Sequence, residues 1–254
     1  MKISVSLATY NGDKFLDQQL NSLLNQTRLP DELIICDDGS NDLTSEILQR
    51  FKKKSPFKCD IYLNLVNKGT GFSFKKAIDL CSGDVVLFCD QDDIWLTHKI
   101  EIIEKTFYEN PRIDFVITNA SIVDMNSNYL GYSLWKQKKF TKKWKHKFNE
   151  NNFQTLFKKN IITGMSTAIS SKVIDLGKFK PDEINHDAWY IYLASITGLK
   201  GVLVDEPLTL YRQHNTQQFG SRKLSIYRNF KRLVMTNKNS IKLKIRNLIP
   251  LLKY

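Results

Sequence analysis

The feature that most constrains the fold is a regular alternation of short apolar runs with helical patterns up to residue 95. Apolar runs typical of buried strands lie at Ile3–Leu7, Leu33–Cys36, Cys59–Leu65 and Val85–Cys89. Segments with apolar residues at helical spacing separate them, at Phe15–Leu24, Asp42–Phe51 and Phe72–Leu80. Short strands that alternate with helices predict an α/β fold with a doubly wound, mostly parallel sheet flanked by helices.

Beyond Trp95 the alternation is less regular. We predict helices at Lys99–Glu109 and Ala188–Thr197, strands at Phe115–Thr118 and Gly164–Ile169, and an apolar run at Gly201–Val204. A chain of 254 residues suits one large domain, which we place at residues 1–220. The basic segment 221–254 has apolar residues at helical spacing and is predicted to be a helical C-terminal appendage.

Polar loops follow the predicted strands of the first half. Because ligands of such sheets bind beyond the carboxyl ends of the strands, these loops are the candidate site. The loop that contains Asn67 and Gly69 lacks acidic residues; its glycines let the backbone approach a ligand closely, and its lysine can meet a phosphate. The other three loops are Ala8–Gly12, Asp37–Asp42 and Asp90–Asp93.

The last of these loops carries three carboxylates, at Asp90, Asp92 and Asp93. Carboxylates so close together repel one another unless a cation neutralises them, and oxygen ligands favour Mg²⁺ or Mn²⁺. The alternative is a solvated acidic turn that caps the following helix. In the same way, Asp38 either accepts a hydrogen bond from a nucleobase or ribose, or belongs to an ordinary Asp-Gly turn.

Four motifs in register resemble the family 2 inverting glycosyltransferases of the GT-A fold. They are Val5-Ser6-Leu7-Ala8-Thr9-Tyr10-Asn11, Asp37-Asp38-Gly39-Ser40-Asn41-Asp42, Ser82-Gly83-Asp84 and Asp90-Gln91-Asp92-Asp93-Ile94-Trp95. The resemblance continues to about His214. It implies a nucleotide-binding half at residues 1–95 and an acceptor-binding half at residues 96–220, with a nucleotide-sugar donor and a saccharide or lipid-linked saccharide acceptor.

The resemblance also assigns residues to the donor. It places Mn²⁺ or Mg²⁺ on the ligands Asp92, Asp93 and His214. Contacts with the diphosphate or the acceptor fall to Trp95, His186 and Arg212, although the segment of Arg212 could equally be an exposed basic loop. The nucleotide contacts that follow from the loops and the resemblance are Ala8, Tyr10, Asn11, Asp38, Asn67, Gly69, Asp90 and Gln91.

The catalytic base implied by the resemblance is Asp187. His186 stands where the family usually has glutamate, but one carboxylate suffices to take the proton of the attacking hydroxyl. The alternative for Asp187 is a helix N-cap. A subset of the family proposed to transfer rhamnose in bacterial surface polysaccharides has similar Asp-Gln-Asp-Asp-x-Trp, His-Asp and Tyr-Arg-Gln-His sequences, which suggests dTDP-rhamnose as donor.

The net charge of +12 is unevenly spread along the chain. Seven lysines lie between Lys136 and Lys147, and ten lysines or arginines between Arg222 and Lys253, with no acidic residue in either segment. Such segments attract polyanions, including anionic membranes. The first segment is either an amphipathic element at a membrane interface or a solvated loop; its interleaved aromatic residues are Trp135, Phe140, Trp144 and Phe148.

The expected location is the cytoplasm, with the protein held at the inner face of the membrane. No signal peptide or membrane-spanning apolar run is present, and the spacing of the four cysteines favours neither a zinc site nor a disulfide framework. A nucleic-acid-binding module would also be basic, but its phosphate partner would be repelled by the acidic loops. An inactive, partner-binding relative would be expected to lack Asp92 or Asp187, and both are present. The sequence does not indicate an oligomeric state.

Overall fold

The computed structural model of the protein describes residues 1–178 and 185–214. The strands are β1 (Ile3–Thr9), β2 (Glu32–Asp37), β3 (Lys58–Leu63), β4 (Val85–Cys89), β5 (Ile94–Trp95), β6 (Phe115–Val123), β7 (Tyr129–Ser133), β8 (Thr167–Ser170) and β9 (Gly201–Arg212). The helices are α1 (Asp13–Leu24), α2 (Thr44–Lys54), α3 (Thr70–Leu80), α4 (Lys99–Glu109), α5 (Leu134–Gln137), α6 (Lys142–Glu150), α7 (Asn152–Lys158), α8 (Ser171–Gly177) and α9 (His186–Ile196).

All described strands belong to one sheet, in the order β3-β2-β1-β4-β8-β6-β9-β5, with β7 paired to β6. In the centre, Leu7 of β1 pairs with Ile35 of β2 on one side and with Cys89 of β4 on the other, and both pairings are parallel. Strand β8 is antiparallel to its neighbours β4 and β6. Strands β1, β2, β4, β6 and β9 therefore all end at the same edge of the sheet.

Helices cover both faces of the sheet because the central strands are buried on both sides. Alternate residues of β1, such as Val5 and Leu7, pack with α1, α2 and α4 on one face. Val86 and Phe88 of β4 point to the other face, where they pack with α3, α8 and α9. Burial on both faces explains the continuous apolar sequence of β4. In β1 the buried Ser4 and Ser6 donate hydrogen bonds to Glu32 and to Leu87 O.

The predicted α/β fold with a mostly parallel sheet is confirmed, and Val85–Cys89 and Lys99–Glu109 have the predicted bounds. The strand predicted at Gly164–Ile169 is wrong in its first part, because Gly164–Ser166 forms a 3-10 turn whose Met165 N–H donates to Asp90 Oδ2. Strand β6 continues past the predicted Thr118 to Val123, because β7 and β9 pair with this extension. The predicted helical appendage 221–254 lies outside the described residues.

The lysine-rich segment folds into α5 and α6 with its aromatic side chains turned inward. Trp135, Phe140 and Phe148 are buried in the core, and Trp144 packs against it. These aromatic side chains therefore pack inside the protein, and the lysines form the outer surface. Within residues 1–178 and 185–214, no helix combines the length and the apolar character that a membrane crossing needs.

Candidate active site

A cavity of about 580 Å³ lies at the edge of the sheet where β1, β2 and β4 end. It is lined by Ala8, Thr9, Tyr10, Asn11, Gly12, Asp13, Lys14, Phe15, Asp38, Thr70, Ser73, Phe74, Asp90, Gln91, Asp92, Tyr211 and His214. All predicted nucleotide contacts except Asn67 and Gly69 lie in this lining. The loops that the sequence identified as separate polar segments thus meet at one cavity.

Gln91 ties the loop after β4 to the loop after β1. Its Oε1 accepts a hydrogen bond from Tyr10 N at 2.9 Å, and its Nε2 donates to Tyr10 O at 3.0 Å. Gly12 lies against the same amide so closely that a Cβ atom there would overlap it. A larger residue at position 12 would displace the Gln91 amide, which positions the backbone of Tyr10.

The loop after β1 is also fixed to the loop after β2. Asn11, at a φ of 45°, donates its N–H to Ser40 Oγ, and its side-chain oxygen accepts from Asn41 N. The Ser40 hydroxyl donates to Asp37 Oδ1 at 2.6 Å. Asp37 thus closes the turn through Asp38 and Gly39 by accepting from Ser40, while Asp38 faces the cavity.

Asp38 holds the loop between β3 and α3. Its Oδ1 accepts from Asn64 Nδ2 and Lys68 N, and its Oδ2 accepts from Gly69 N at 2.7 Å. Asn67 contributes by accepting from Gly69 N with its side-chain oxygen. Asn67 and Gly69 therefore lie behind Asp38, and one function of Asp38 is to shape the loop next to the cavity.

Replacing Gln91 by Ala is expected to weaken donor binding about tenfold. Two hydrogen bonds of about 1 kcal/mol each are lost, part of which water recovers at this exposed position. The change should be measured as donor affinity by calorimetry, together with the hydrogen-exchange rate of the Tyr10 amide, which should rise. Gln49→Ala, on the exposed side of α2, is the matched control. Weaker binding with unchanged Tyr10 exchange would instead indicate direct contact between Gln91 and the nucleotide.

The acidic cluster consists of Asp90, Asp92 and Asp93, and its first two residues line the cavity. Burial and the charges of Asp92 and Asp187 raise the pKa of the Asp90 carboxyl well above its usual range. Burial and the charges of Asp92 and Asp90 do the same for Asp93. The following helix begins at Lys99, so the acidic cluster does not cap it, and that alternative is wrong.

The residues present fit a divalent cation in part. Asp92 Oδ2 and His214 Nε2 lie 2.8 Å apart and both line the cavity. Asp93 is completely buried, and its Oδ1 accepts from Arg212 N. In the described part of the chain, no three His, Cys, Asp or Glu side chains are arranged to hold a metal. This fits an ion that takes one or two protein ligands and completes its shell with phosphate oxygens and water, as Mg²⁺ commonly does.

Arg212 is buried, which rules out the alternative of an exposed basic loop. Its guanidinium donates to Asp92 O, Met125 O, Ser127 Oγ and Gln18 Oε1. These contacts fix the backbone of the acidic cluster against β9. The predicted contact between Arg212 and the diphosphate stays a prediction, and the geometry favours a positioning function.

Trp95 lies in the core, and only 2% of its surface is exposed. The Lys99 ammonium lies 3.8 Å from the centroid of its ring and donates to Met165 O and Thr209 Oγ1. Burial lowers the pKa of Lys99 to about 7. Trp95 is therefore linked to the acidic cluster through Lys99 and through Met165, whose N–H donates to Asp90 Oδ2. Its predicted contact with the diphosphate or the acceptor has no support in this position.

His186 and Asp187 begin α9 next to the cavity. The His186 ring stacks on Phe74, with 3.8 Å between the ring centroids, and Phe74 lines the cavity. Asp187 is 9% exposed, and its charge is one cause of the raised pKa of Asp90, so the two carboxylates are close. The N-cap of α9 is Asn185, so the N-cap alternative for Asp187 is wrong.

Several lining residues were not among the sequence candidates. Thr9 and Gly12 lie within the identified loop Ala8–Gly12, and Asp13, Lys14 and Phe15 directly follow it, so their position was the available signal. The positions of the others depend on how α3 and β9 pack at the cavity, which the sequence pattern does not reveal. They are Thr70, Ser73, Phe74 and Tyr211.

Known proteins with similar sequences are glycosyltransferases. The dTDP-rhamnosyl transferase RfbG of Shigella flexneri is 31% identical over 243 residues, which cover 89% of this chain and 78% of RfbG. An uncharacterised glycosyltransferase of Methanocaldococcus jannaschii is 31% identical, with 87% of this chain and 73% of the relative covered. A third relative, from Nostoc sp., is 33% identical, but the match spans only 38% of its length and 50% of this chain.

Solved structures share the fold. The structure of S. aureus TarS residues 1–349 in complex with UDP-GlcNAc superposes with a TM-score of 0.68 at 18% identity, over 99% of this chain and 72% of that chain. The mannosyltransferase PcManGT of Pyrobaculum calidifontis, in complex with GDP-Man and Mn²⁺, has a TM-score of 0.57 at 16% identity, over 86% of this chain and 58% of that chain. Residues 4–176 match the sequence family described as "Glycosyl transferase family 2". The chain therefore belongs to glycosyl transferase family 2 and has the GT-A fold.

Proposed function

We propose that the protein transfers a sugar from a nucleotide diphosphate donor to a saccharide acceptor, with inversion at the anomeric carbon, in the synthesis of a bacterial surface polysaccharide. The observation that carries the proposal is that Asp92 and His214 line the same cavity as the loops of Tyr10 and Asp38. The proposed nucleotide pocket and the proposed diphosphate anchor would thus be adjacent. The relatives RfbG and TarS support the proposal through the donors in their descriptions.

The nucleotide would occupy the part of the cavity between the first two loops. Tyr10 and Asn11 line it from the loop after β1, and Asp38 from the loop after β2. Their backbones are held by hydrogen bonds that involve Gln91 and Ser40. Such a prearranged pocket binds a nucleotide with little loss of loop entropy.

The diphosphate would lie over the acidic cluster. Asp92 and His214 would hold Mn²⁺ or Mg²⁺, whose positive charge stabilises the leaving diphosphate. Without a cation, the carboxylates of Asp90 and Asp92 would repel the diphosphate, because the charges have the same sign. Burial, and after it the charges of Asp92 and Asp187, already raise the pKa of Asp90.

The proposed reaction is a single displacement. The acceptor hydroxyl oxygen forms a bond to the anomeric carbon as the bond from that carbon to the diphosphate oxygen breaks, and Asp187 takes the hydroxyl proton. Asp187 suits this function because it begins α9 close to Asp90, next to the cavity.

For the donor we propose dTDP-rhamnose. The support is the likeness to RfbG, whose description names a dTDP-rhamnosyl transferase, over 78% of its length. Other relatives point to other sugars: WfgD of Escherichia coli, 32% identical over 48% of its length, is described as a glucosyltransferase that uses UDP-Glc. The donor must therefore be determined by binding.

A thermal-shift screen of nucleotide sugars tests the proposed function. A donor present at 100 times its Kd stabilises the fold by about 2.7 kcal/mol, which raises Tm by several degrees. We expect the largest shift with dTDP-rhamnose in the presence of Mn²⁺ or Mg²⁺, and a smaller one with EDTA. If no nucleotide sugar shifted Tm with or without metal, the proposed function would be wrong.

For the acceptor we propose a lipid-linked saccharide, reached with the exposed lysines of α5 and α6 against an anionic membrane. Lys142 and Lys143 are exposed, and each lysine near an anionic surface contributes about 1 kcal/mol. The double variant Lys142→Glu/Lys143→Glu should lose at least about tenfold in binding to vesicles with anionic lipid. The variant Lys53→Glu/Lys54→Glu, on α2, makes the same change of charge elsewhere. This orientation would be contradicted if both double variants lost vesicle binding to the same extent. It would also be contradicted if the wild type bound neutral vesicles as well as anionic ones.

A further inference from the structure

Tyr211 lies one residue before the end of β9, at a position that the neighbouring contacts hold firmly. Its backbone pairs with Ile122 of β6. The next residue, Arg212, donates its N–H to Asp93 Oδ1 and its guanidinium to Asp92 O and Gln18 Oε1. Successive side chains of a strand point to opposite faces, so the anchoring of Arg212 on one side fixes Tyr211 on the other.

The side chain of Tyr211 lines the cavity together with Asp90, Asp92, Phe74 and His214. Its hydroxyl makes no hydrogen bond with any other residue in the described part of the chain, whereas the guanidinium of the adjacent Arg212 makes several. A phenol hydroxyl half-buried beside carboxylates and not bound to them is available to a ligand. The ring of Tyr211 packs against the core, and its hydroxyl is placed where it can meet a ligand in the cavity.

The chemistry of the surroundings indicates which kind of ligand atom the hydroxyl meets. Ionised carboxylates only accept hydrogen bonds, whereas a phenol is protonated at neutral pH and can donate one. A sugar hydroxyl that donates to a cavity carboxylate can accept a hydrogen bond from the Tyr211 hydroxyl with the same oxygen. Asp187 is close to Asp90, so an oxygen near Tyr211 also lies near the proposed base.

We propose that the Tyr211 hydroxyl donates a hydrogen bond to an oxygen of the transferred sugar and thereby sets the orientation of that sugar between the diphosphate anchor and Asp187. The assignment rests on the proposed glycosyl transfer. It adds a sugar-orienting contact to a site whose other assigned residues act on the nucleotide, the diphosphate or the acceptor proton. A specificity for the sugar, and not for the nucleotide, follows from it.

The variant Tyr211→Phe tests the assignment because it removes only the hydroxyl. The affinity for the nucleotide sugar found in the screen should fall about tenfold, the loss expected for one hydrogen bond in a partly enclosed site. The affinity for the corresponding nucleoside diphosphate, which lacks the sugar, should stay within about twofold. Tyr108→Phe, at a side chain 82% exposed on α4, is the matched control and should change neither affinity.

A second measurement compares the wild type and Tyr211→Phe in their binding of deoxy analogues of the donor sugar. The analogue that lacks the contacted oxygen should bind the wild type and Tyr211→Phe equally, because the hydrogen bond is absent in both. If Tyr211→Phe bound the nucleoside diphosphate and the nucleotide sugar more weakly by the same factor, or bound both as well as the wild type, the assignment of Tyr211 alone would be overturned. A wild type that bound no nucleotide sugar would overturn the proposed function and this assignment together.

Discussion

Replacing Asp187 by Asn is expected to reduce sugar transfer by about 10² to 10⁴-fold, the range typical of a lost general base, while donor binding stays unchanged. Asparagine has the shape of aspartate but cannot take the proton of the acceptor hydroxyl. Transfer should be measured as release of the nucleoside diphosphate in the presence of acceptor, or as slow donor hydrolysis with water as acceptor. Donor affinity should be measured on the same samples by calorimetry.

The control for Asp187→Asn is the same substitution at Asp175. That carboxylate pairs with Lys178 on the surface of α8, where its side chain is 69% exposed. Asp175→Asn should therefore keep full transfer. If Asp187→Asn also kept full transfer, the base would be another group, and Asp90, whose pKa is raised by burial and by its acidic neighbours, would be the next residue to replace.

Replacing Asp92 by Ala is expected to weaken metal-dependent donor binding by at least about 100-fold. The carboxylate belongs to the proposed diphosphate anchor with His214. Changes to groups that only orient a metal ligand cost about 10- to 100-fold in metal affinity, so the loss of a ligand itself should cost at least about 100-fold. Calorimetry with and without Mn²⁺ measures the effect. Wild-type donor affinity should depend on the metal, and Asp92→Ala should show the weak affinity of the wild type in EDTA.

The stability of the unliganded variant separates loss of the ligand from loss of the fold. Asp92 contributes to the raised pKa of both Asp90 and Asp93, so its removal relieves repulsion. The Tm of unliganded Asp92→Ala should equal or exceed that of the wild type. Asp92→Asn, which can still hydrogen-bond His214 but carries no charge, should bind the donor as weakly as Asp92→Ala. If donor binding by these Asp92 variants still depended on the metal as in the wild type, the ion would bind elsewhere.

The fold was predictable where one physical rule decides an element. Strand Val85–Cys89 is buried on both faces and reads as an uninterrupted apolar run, so its bounds were predicted correctly. Strand β9 continues from Val204 through Asp205 and Glu206 to Arg212, with an irregular register that lets polar residues interrupt the apolar pattern. Periodicity alone cannot detect such a continuation, because pairing with β6 determines it.

The site was predictable as a set of loops but less so as a set of contacts. The strand ends identified Tyr10, Asp38 and Asp92 as neighbours, and all three line the cavity. The sequence could not distinguish a side chain that faces a ligand from one that positions a neighbour. Gln91 holds the backbone of Tyr10, and Trp95 is buried against Lys99, because packing and hydrogen bonds with distant segments orient them.

The reversed direction of β8 has a consequence for how relatives with this sheet can diverge. Strand β6 runs toward the cavity edge and β8 runs away from it, so the segment between Val123 and Thr167 leaves and rejoins the sheet at that edge. The segment is nevertheless tied to the rest of the protein, because Trp135, Phe140 and Phe148 fill the core and Met125 and Ser127 accept hydrogen bonds from Arg212. It can therefore vary at its exposed positions, such as Lys142 and Lys143, without a change in the core or in the pairing of β1 with β2 and β4.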